Sequence, residues 1–183
     1  MESQESSSPA QPAEVGYRPL RIWPALILLC VLAVCRGMPM FVDDVTDTLL
    51  MTALFGLMGS QALLMLWWLL ASRATWRERL VGGGGFAVLA AVAIALMHES
   101  MRGPGLIMVV FPAGLAAFTL GAVLFSGHLS FRRTAVALLL AAVGFGGTML
   151  LRSDGMWGNF ALGLHWRFKP TAEEQLVAAK GQQ

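Results

Sequence analysis

The hydrophobic positions of this chain fall into five long blocks that are separated by short polar stretches. The blocks cover residues 22–42, 48–72, 80–97, 105–126 and 134–151. Each is close to the roughly 20 residues that an α-helix needs to cross about 30 Å of hydrocarbon. Arg36 interrupts the first block, but a long basic side chain near a helix end can reach the interface. The pattern predicts an all-α membrane protein, a bundle of about five transmembrane helices.

After the last block, the spacing of the apolar residues changes. In residues 160–169, large apolar side chains alternate with small or polar ones, which is the pattern of a β-strand with one buried face. The apolar set is Phe160, Leu162, Leu164, Trp166 and Phe168. The preceding stretch RSDGMWGNF is rich in Gly and Asp and predicts turns. Since no other segment reads as a strand, we expect this apolar face to pack on another domain or protein.

The remaining residues of this tail predict a helix. Thr171 is followed three residues later by Glu174, which is a capping-box pattern, so a short helix from Ala172 to about Lys180 is expected. The segment after the last block therefore reads as a short extramembrane strand, turn and helix.

Composition supports the membrane assignment. Of 183 residues, 56% are hydrophobic and only 13% are charged, compared with about 25% charged in an average soluble domain. The net charge of +2, without a basic stripe, argues against nucleic-acid binding. Cys30 and Cys35 point in different directions on one helix and cannot pair with each other there.

The distribution of basic residues predicts the orientation. One side of the bundle carries Arg18, Arg21, Arg73, Arg77, Arg79, Arg132 and Arg133. The opposite loops carry Arg36 and Arg102 together with several acidic residues, so the positive-inside rule places the N-terminus in the cytoplasm. We expect a disordered cytoplasmic tail at 1–20, a transmembrane domain at 21–152 and a periplasmic junction at 153–183 in a bacterial inner membrane. The first helix is interpreted as retained, with a cleaved signal peptide as the alternative.

Candidate chemistry in the loops is sparse. His98, Glu99 and Arg102 form the one trio that would suit a quinone head group or proton transfer, although charge at the membrane interface costs little and a plain loop is the simpler interpretation. Asp43, Asp44 and Asp47 cluster without the glycine and ligand spacing of a calcium loop, so we expect a solvated acidic loop with Asp47 capping the second helix. No metal site and no catalytic residue is predicted.

Glycines are expected to serve helix packing. The run Gly82–Gly85 has neither a preceding strand nor a following GK[ST], which argues against a phosphate loop. Small residues at helical spacings let membrane helices approach closely. The other positions predicted to do so are Gly56, Ser60, Ala117, Gly121, Gly144, Gly146 and Gly147, either within the bundle or between two copies.

Two short motifs carry a resemblance to a known family. WRERL follows the second block at residues 76–80, and the stretch LGLHWRFKPTAEEQL follows the last one. With them the chain resembles the N-terminal membrane region of bacterial PQQ-binding-like β-propeller proteins, relatives of the quinoprotein dehydrogenases. The matching junction residues are Trp166, Arg167, Phe168, Pro170, Thr171, Glu173, Glu174 and Leu176.

The resemblance implies a non-catalytic inner-membrane anchor whose periplasmic propeller is absent from this sequence. PQQ and its calcium would belong to that propeller, and no cofactor is expected in this chain. The strand at 160–169 would then pack on a propeller that is missing, either lost or encoded separately. Two alternatives stay open: a small electron-transfer subunit that interacts with ubiquinone, and a transporter or assembly module with Gln61 and Thr119 as its polar residues.

Overall fold

A computed structural model describes residues 20–41, 46–156, 162–169 and 180. The helices are α1 (Ile22–Phe41), α2 (Asp47–Leu66), α3 (Trp76–Leu96), α4 (Phe111–Leu124) and α5 (Ser130–Met149). The strands are β1 (Leu151–Met156) and β2 (Leu162–Trp166). One π-helical turn, Trp67–Ala71, extends α2, and another, Leu106–Val110, leads into α4.

Three of the described helices are long and apolar enough to cross a membrane. They are Asp47–Ala71, Trp76–Leu96 and Leu106–Leu124. The apolar part of α1 is shorter, Ile22–Met38, and α5 carries two arginines near its start. The prediction of a mainly helical bundle is confirmed, while the number of membrane crossings stays a prediction.

The helix boundaries differ from those that hydropathy predicts. α3 begins at Trp76 rather than at residue 80, because the Thr75 hydroxyl and the Glu78 carboxylate form a reciprocal capping box. α5 begins at Ser130 instead of residue 134. The cap of α2 is Thr46, whose side chain accepts the N–H of Leu49, so the assignment of that role to Asp47 is wrong.

Small residues let α4 and α5 approach closely. A Cβ added at Gly121 would lie 2.7 Å from Cα of Ala137, and one at Gly144 would lie 2.8 Å from the Ala113 carbonyl oxygen. These contacts confirm the predicted role of both glycines. Gly146 and Gly147, in contrast, have open space around them, so the prediction of a close contact there is wrong within this chain.

Two glycines of the run in α3 leave space for side chains of neighbouring segments. A Cβ at Gly82 would overlap the Trp68 indole, and a Cβ at Gly85 would lie 2.8 Å from Leu138 of α5. Gly84 faces open space. The run therefore admits the Trp68 ring and the α5 helix, as expected of packing glycines.

The predicted strand β2 pairs with another strand of the same chain. The expectation that no other segment forms a strand is therefore wrong. β1 and β2 pair antiparallel, with Leu151 opposite Trp166 and Ser153 opposite Leu164. The sequence of β1, LRSDGM, hides this role because it lacks the alternation and the β-branched residues of typical strands. An irregularity between Ser153 and Met156, where Gly155 has φ +122°, also breaks its two-residue period.

The β-hairpin formed by β1 and β2 lies across one end of the bundle. β1 follows α5 directly, and its Ser153 N–H donates to Oγ of Ser100 between α3 and α4 at 3.1 Å. Leu162 of β2 reaches residues of α1 and α2. We call this the hairpin end, and the opposite end, which contains Arg73, Arg77, Arg79, Arg132 and Arg133, the arginine end.

Candidate functional site

A small cavity lies at the hairpin end between α1, α2 and the π-turn that precedes α4. Its volume is about 40 Å³. The lining residues are Cys35, Arg36, Leu50, Ala53, Leu54, Leu57, Met108 and Leu162. The cavity thus brings together four separate elements, and Leu162 of the β-hairpin closes one side of it.

Arg36 is the one charged residue among those that line the cavity. It lies in the last turns of α1 and is half-buried. Within the described residues no carboxylate or carbonyl oxygen lies within hydrogen-bonding distance of its guanidinium group. The sequence placed Arg36 at an interface, but hydropathy could not show that it faces a cavity between helices.

Gln61 stabilises the irregular start of α4. In a π-turn the N–H of residue 112 would bond to the carbonyl of Ile107, but residue 112 is proline and has no N–H. Nε2 of Gln61 lies 3.3 Å from that carbonyl oxygen and donates to it. Thr119 donates to the Leu115 carbonyl at 2.8 Å. Both polar side chains therefore bond to the helix backbone, which gives them a structural role.

The three candidate quinone residues share a loop but do not form a joint site through direct bonds. His98 caps the short 3₁₀ turn Glu99–Met101, and its Nδ1 lies 2.9 Å from Oγ of Ser100. Glu99 and Arg102 are exposed. Among these residues, all of which the structure describes, no ion pair or hydrogen bond joins the His98, Glu99 and Arg102 side chains. Ser100, which no sequence pattern singles out, connects this loop to β1.

The apolar residues of the predicted strand divide into two groups. Leu162 lines the cavity and Leu164 packs against the hydrophobic core of the bundle. Trp166 and Phe168 are 54% and 79% exposed. Phe160 lies outside the described residues. Thus part of the face predicted to bind a partner covers the chain's own helices, and the part nearest the end of β2 remains accessible.

Charged side chains line the other face of the β-hairpin. Oδ2 of Asp154 lies 3.3 Å from Nε2 of His165, and Oδ1 lies 3.7 Å from Nε of Arg152. Asp154 and His165 are about half exposed. Since Asp154 and His165 are half exposed, their contact contributes little to stability and chiefly makes the outward face of the hairpin polar, whereas Arg152 is mostly buried.

A buried ion pair joins α3 and α5 at the arginine end. Nη2 of Arg133 donates to Oε1 of Glu78, and both side chains are buried. Oε2 of Glu78 accepts the Thr75 N–H at 2.8 Å. Nε of Arg79 donates to the Ala74 carbonyl, and its guanidinium stacks on Trp76. The WRERL motif therefore holds the α2–α3 turn and the start of α5 together.

The acidic loop belongs largely to residues that the structure does not describe. Asp43 and Asp44 lie outside the described ranges, and Asp47 is exposed in the first turn of α2. In the ranges 20–41, 46–156 and 162–169, no group of three His, Cys, Asp or Glu side chains has the arrangement of a metal site.

Comparisons of the chain with protein-family models, with curated proteins and with solved structures found no match. The resemblance to anchors of PQQ-binding-like propeller proteins therefore rests on the two short motifs alone and stays a prediction. Function is inferred below from where the structure places particular residues.

Proposed function

We propose that this chain is a multi-pass protein of a bacterial inner membrane that anchors an extramembrane domain and is not itself catalytic. Three helices of membrane-spanning length and hydropathy support the membrane location. α1 and α5 pack against these helices and complete five crossings. The arginine end faces the cytoplasm, since five arginines lie in its α2–α3 turn and in the first turns of α3 and α5, and the side of a membrane protein that is rich in arginine remains inside.

The observation that carries the anchor function is the way the β-hairpin is held. Its first strand continues from α5, its backbone bonds to Ser100, and Leu164 packs on the helical core. The N–H of Arg167 donates to the Leu150 carbonyl at 2.8 Å, which returns the chain to the end of α5. The segment leaving the membrane domain therefore has a defined position.

Two aromatic side chains at this position remain accessible. Trp166 and Phe168 are exposed beside the end of α5. They begin the junction motif that resembles propeller proteins, whose further residues 170–179 lie outside the described ranges. We propose that these two rings contact the attached periplasmic domain, a PQQ-like β-propeller, on the same chain or a separate one. PQQ and calcium would belong to that domain.

Reporter fusions test the location and orientation. Alkaline phosphatase fused after Gln183 should be active, and the same enzyme inserted at residues 72–79 should be inactive. A carbonate wash should leave the protein in the membrane fraction. The reverse pattern of reporter activity, or extraction by carbonate, would contradict the proposal.

Co-expression with a propeller protein encoded beside this chain tests the anchor function. Trp166→Asp combined with Phe168→Asp should abolish co-purification while membrane insertion is unchanged. His165→Asn, on the opposite face of β2, is the matched control and should leave association intact. Retention of the propeller by the double variant would show that these rings are not the contact.

A further inference from the structure

We propose that Arg36 binds the anionic head group of a membrane lipid, with a phosphate or carboxylate oxygen in the cavity beside Leu162. This inference depends on the proposed membrane location. It assigns a lipid site at the hairpin end that is separate from the exposed rings of Trp166 and Phe168.

The guanidinium group of Arg36 requires an acceptor. It offers five N–H donors and stays charged under all ordinary conditions. The other residues that line the cavity are Cys35 and apolar side chains, which provide no countercharge. Arg36 is half-buried, so its guanidinium is only partly solvated, and an anion that enters the cavity gains a charge-assisted hydrogen bond.

The cavity has room for a small polar group. Its volume of about 40 Å³ exceeds the roughly 10–15 Å³ that a cavity needs to hold one water molecule. One oxygen of a phosphate or carboxylate therefore fits beside Arg36.

The depth of Arg36 also suits a lipid head group. α1 continues five residues beyond it to Phe41, which corresponds to about 7–8 Å along the helix axis. An open groove on α2 has a mostly apolar surface and is lined by Asp47, Thr48, Met51, Thr52, Phe55 and Gly56. A Cβ added at Gly56 would lie 2.5 Å from Sγ of Cys35, which also lines the Arg36 cavity, so an acyl chain in this groove would lie beside that cavity.

Lipid retention by the purified full chain tests this site. The detergent-solubilised, delipidated protein is titrated with dioleoylphosphatidylglycerol, dioleoylphosphatidylcholine or oleate and followed by native mass spectrometry. Wild type should prefer phosphatidylglycerol over phosphatidylcholine several-fold, because both lipids carry the phosphate oxygens but the choline cation of phosphatidylcholine cancels its net charge beside Arg36. Arg36→Gln should remove this preference, whereas Arg102→Gln, an exposed arginine at the same end, should retain it. The oleate titration distinguishes carboxylate from phosphate recognition.

A second variant keeps the arginine and removes the space. Ala53 lines the cavity and is buried, so Ala53→Leu should fill it and lower phosphatidylglycerol retention by a similar factor. Equal retention of both phospholipids by wild type, or unchanged retention by Arg36→Gln and Ala53→Leu, would overturn the proposal.

Asp43 and Asp44 define the main alternative partner for Arg36. If one of these carboxylates neutralises it, Asp43→Asn with Asp44→Asn should lower the melting temperature as much as Arg36→Gln, with no effect of phosphatidylglycerol on either. That result would overturn the lipid site. Because the carbonate wash reports membrane location independently, failure of the lipid site is distinguishable from failure of the membrane proposal.

Discussion

Arg133 and Glu78 form a buried ion pair that joins the first turns of α5 and α3. The same carboxylate bonds to the Thr75 backbone and hydroxyl, so one residue caps a helix and neutralises a neighbour. Since removal of one partner leaves an uncompensated buried charge, this contact should be among the most sensitive in the bundle.

Glu78→Gln tests this contact while preserving the capping box, since glutamine also serves at that position. The buried Arg133 charge then lacks its countercharge, and we expect the free energy of unfolding to fall by about 3–5 kcal/mol. Unfolding in detergent measures the change. Arg132→Gln, at the exposed neighbouring arginine, should change stability by no more than about 0.5 kcal/mol. Equal effects of the two variants would contradict the importance of the pair.

An added methyl group should have opposite effects on stability at Gly121, which lies in the α4–α5 contact, and at Gly146, which has open space around it. Gly121→Ala places a methyl group against the Ala137 backbone, so the helices must separate at a cost of about 1–3 kcal/mol. Gly146→Ala meets open space and should be neutral or stabilising by up to about 1 kcal/mol through helix propensity. Melting temperatures in the same detergent check both, and destabilisation by Gly146→Ala would indicate a contact with a second copy.

The bond from Gln61 to Ile107 predicts a coupling with Pro112. Gln61→Leu removes the donor to a free carbonyl and should cost about 1 kcal/mol. Pro112→Ala restores a backbone N–H near that carbonyl, so Gln61→Leu should cost less in the Pro112→Ala background. A double-mutant cycle of unfolding free energies measures the difference. Additive costs would show that Gln61 does not replace the missing donor.

The paired β-hairpin predicts slow amide exchange in the isolated protein. Amides in β2 should exchange more slowly than the exposed loop amide of Gly103, because β1 and the bundle cover them. Leu164→Asp should remove this protection, while His165→Asn should leave it. Exchange as fast as at Gly103 in the wild-type protein would show that the strand requires an external partner after all.

Hydropathy predicts most of the helical architecture, because each helix carries apolar side chains along most of its length and therefore appears in the sequence as a long apolar block. It could not predict β1, whose pairing depends on the end of α5 and on the bulge at Gly155 rather than on its own residues. Hydropathy also misses the helix starts at Trp76 and Ser130, because the capping residues and arginines of these first turns lie outside the apolar blocks.

The candidate site was only partly accessible to sequence reasoning. His98, Glu99 and Arg102 are polar residues near an apolar block, so the sequence predicts a candidate site there, yet their side chains do not bond to one another. Arg36 was recognised as unusual, but its cavity is made by residues from four elements that are distant in sequence. Residues so distant in sequence come together only through tertiary packing, and the periodicity of apolar residues gives no information about that packing.

The position of Leu162 has a consequence for biosynthesis. Leu162 emerges from the ribosome after α1, α2 and the π-turn before α4, and it lines one cavity together with residues of these three elements. The cavity is therefore completed only after these elements have associated and the hairpin has docked on them. The proposed domain beyond Phe168 would acquire its orientation only on this assembled surface.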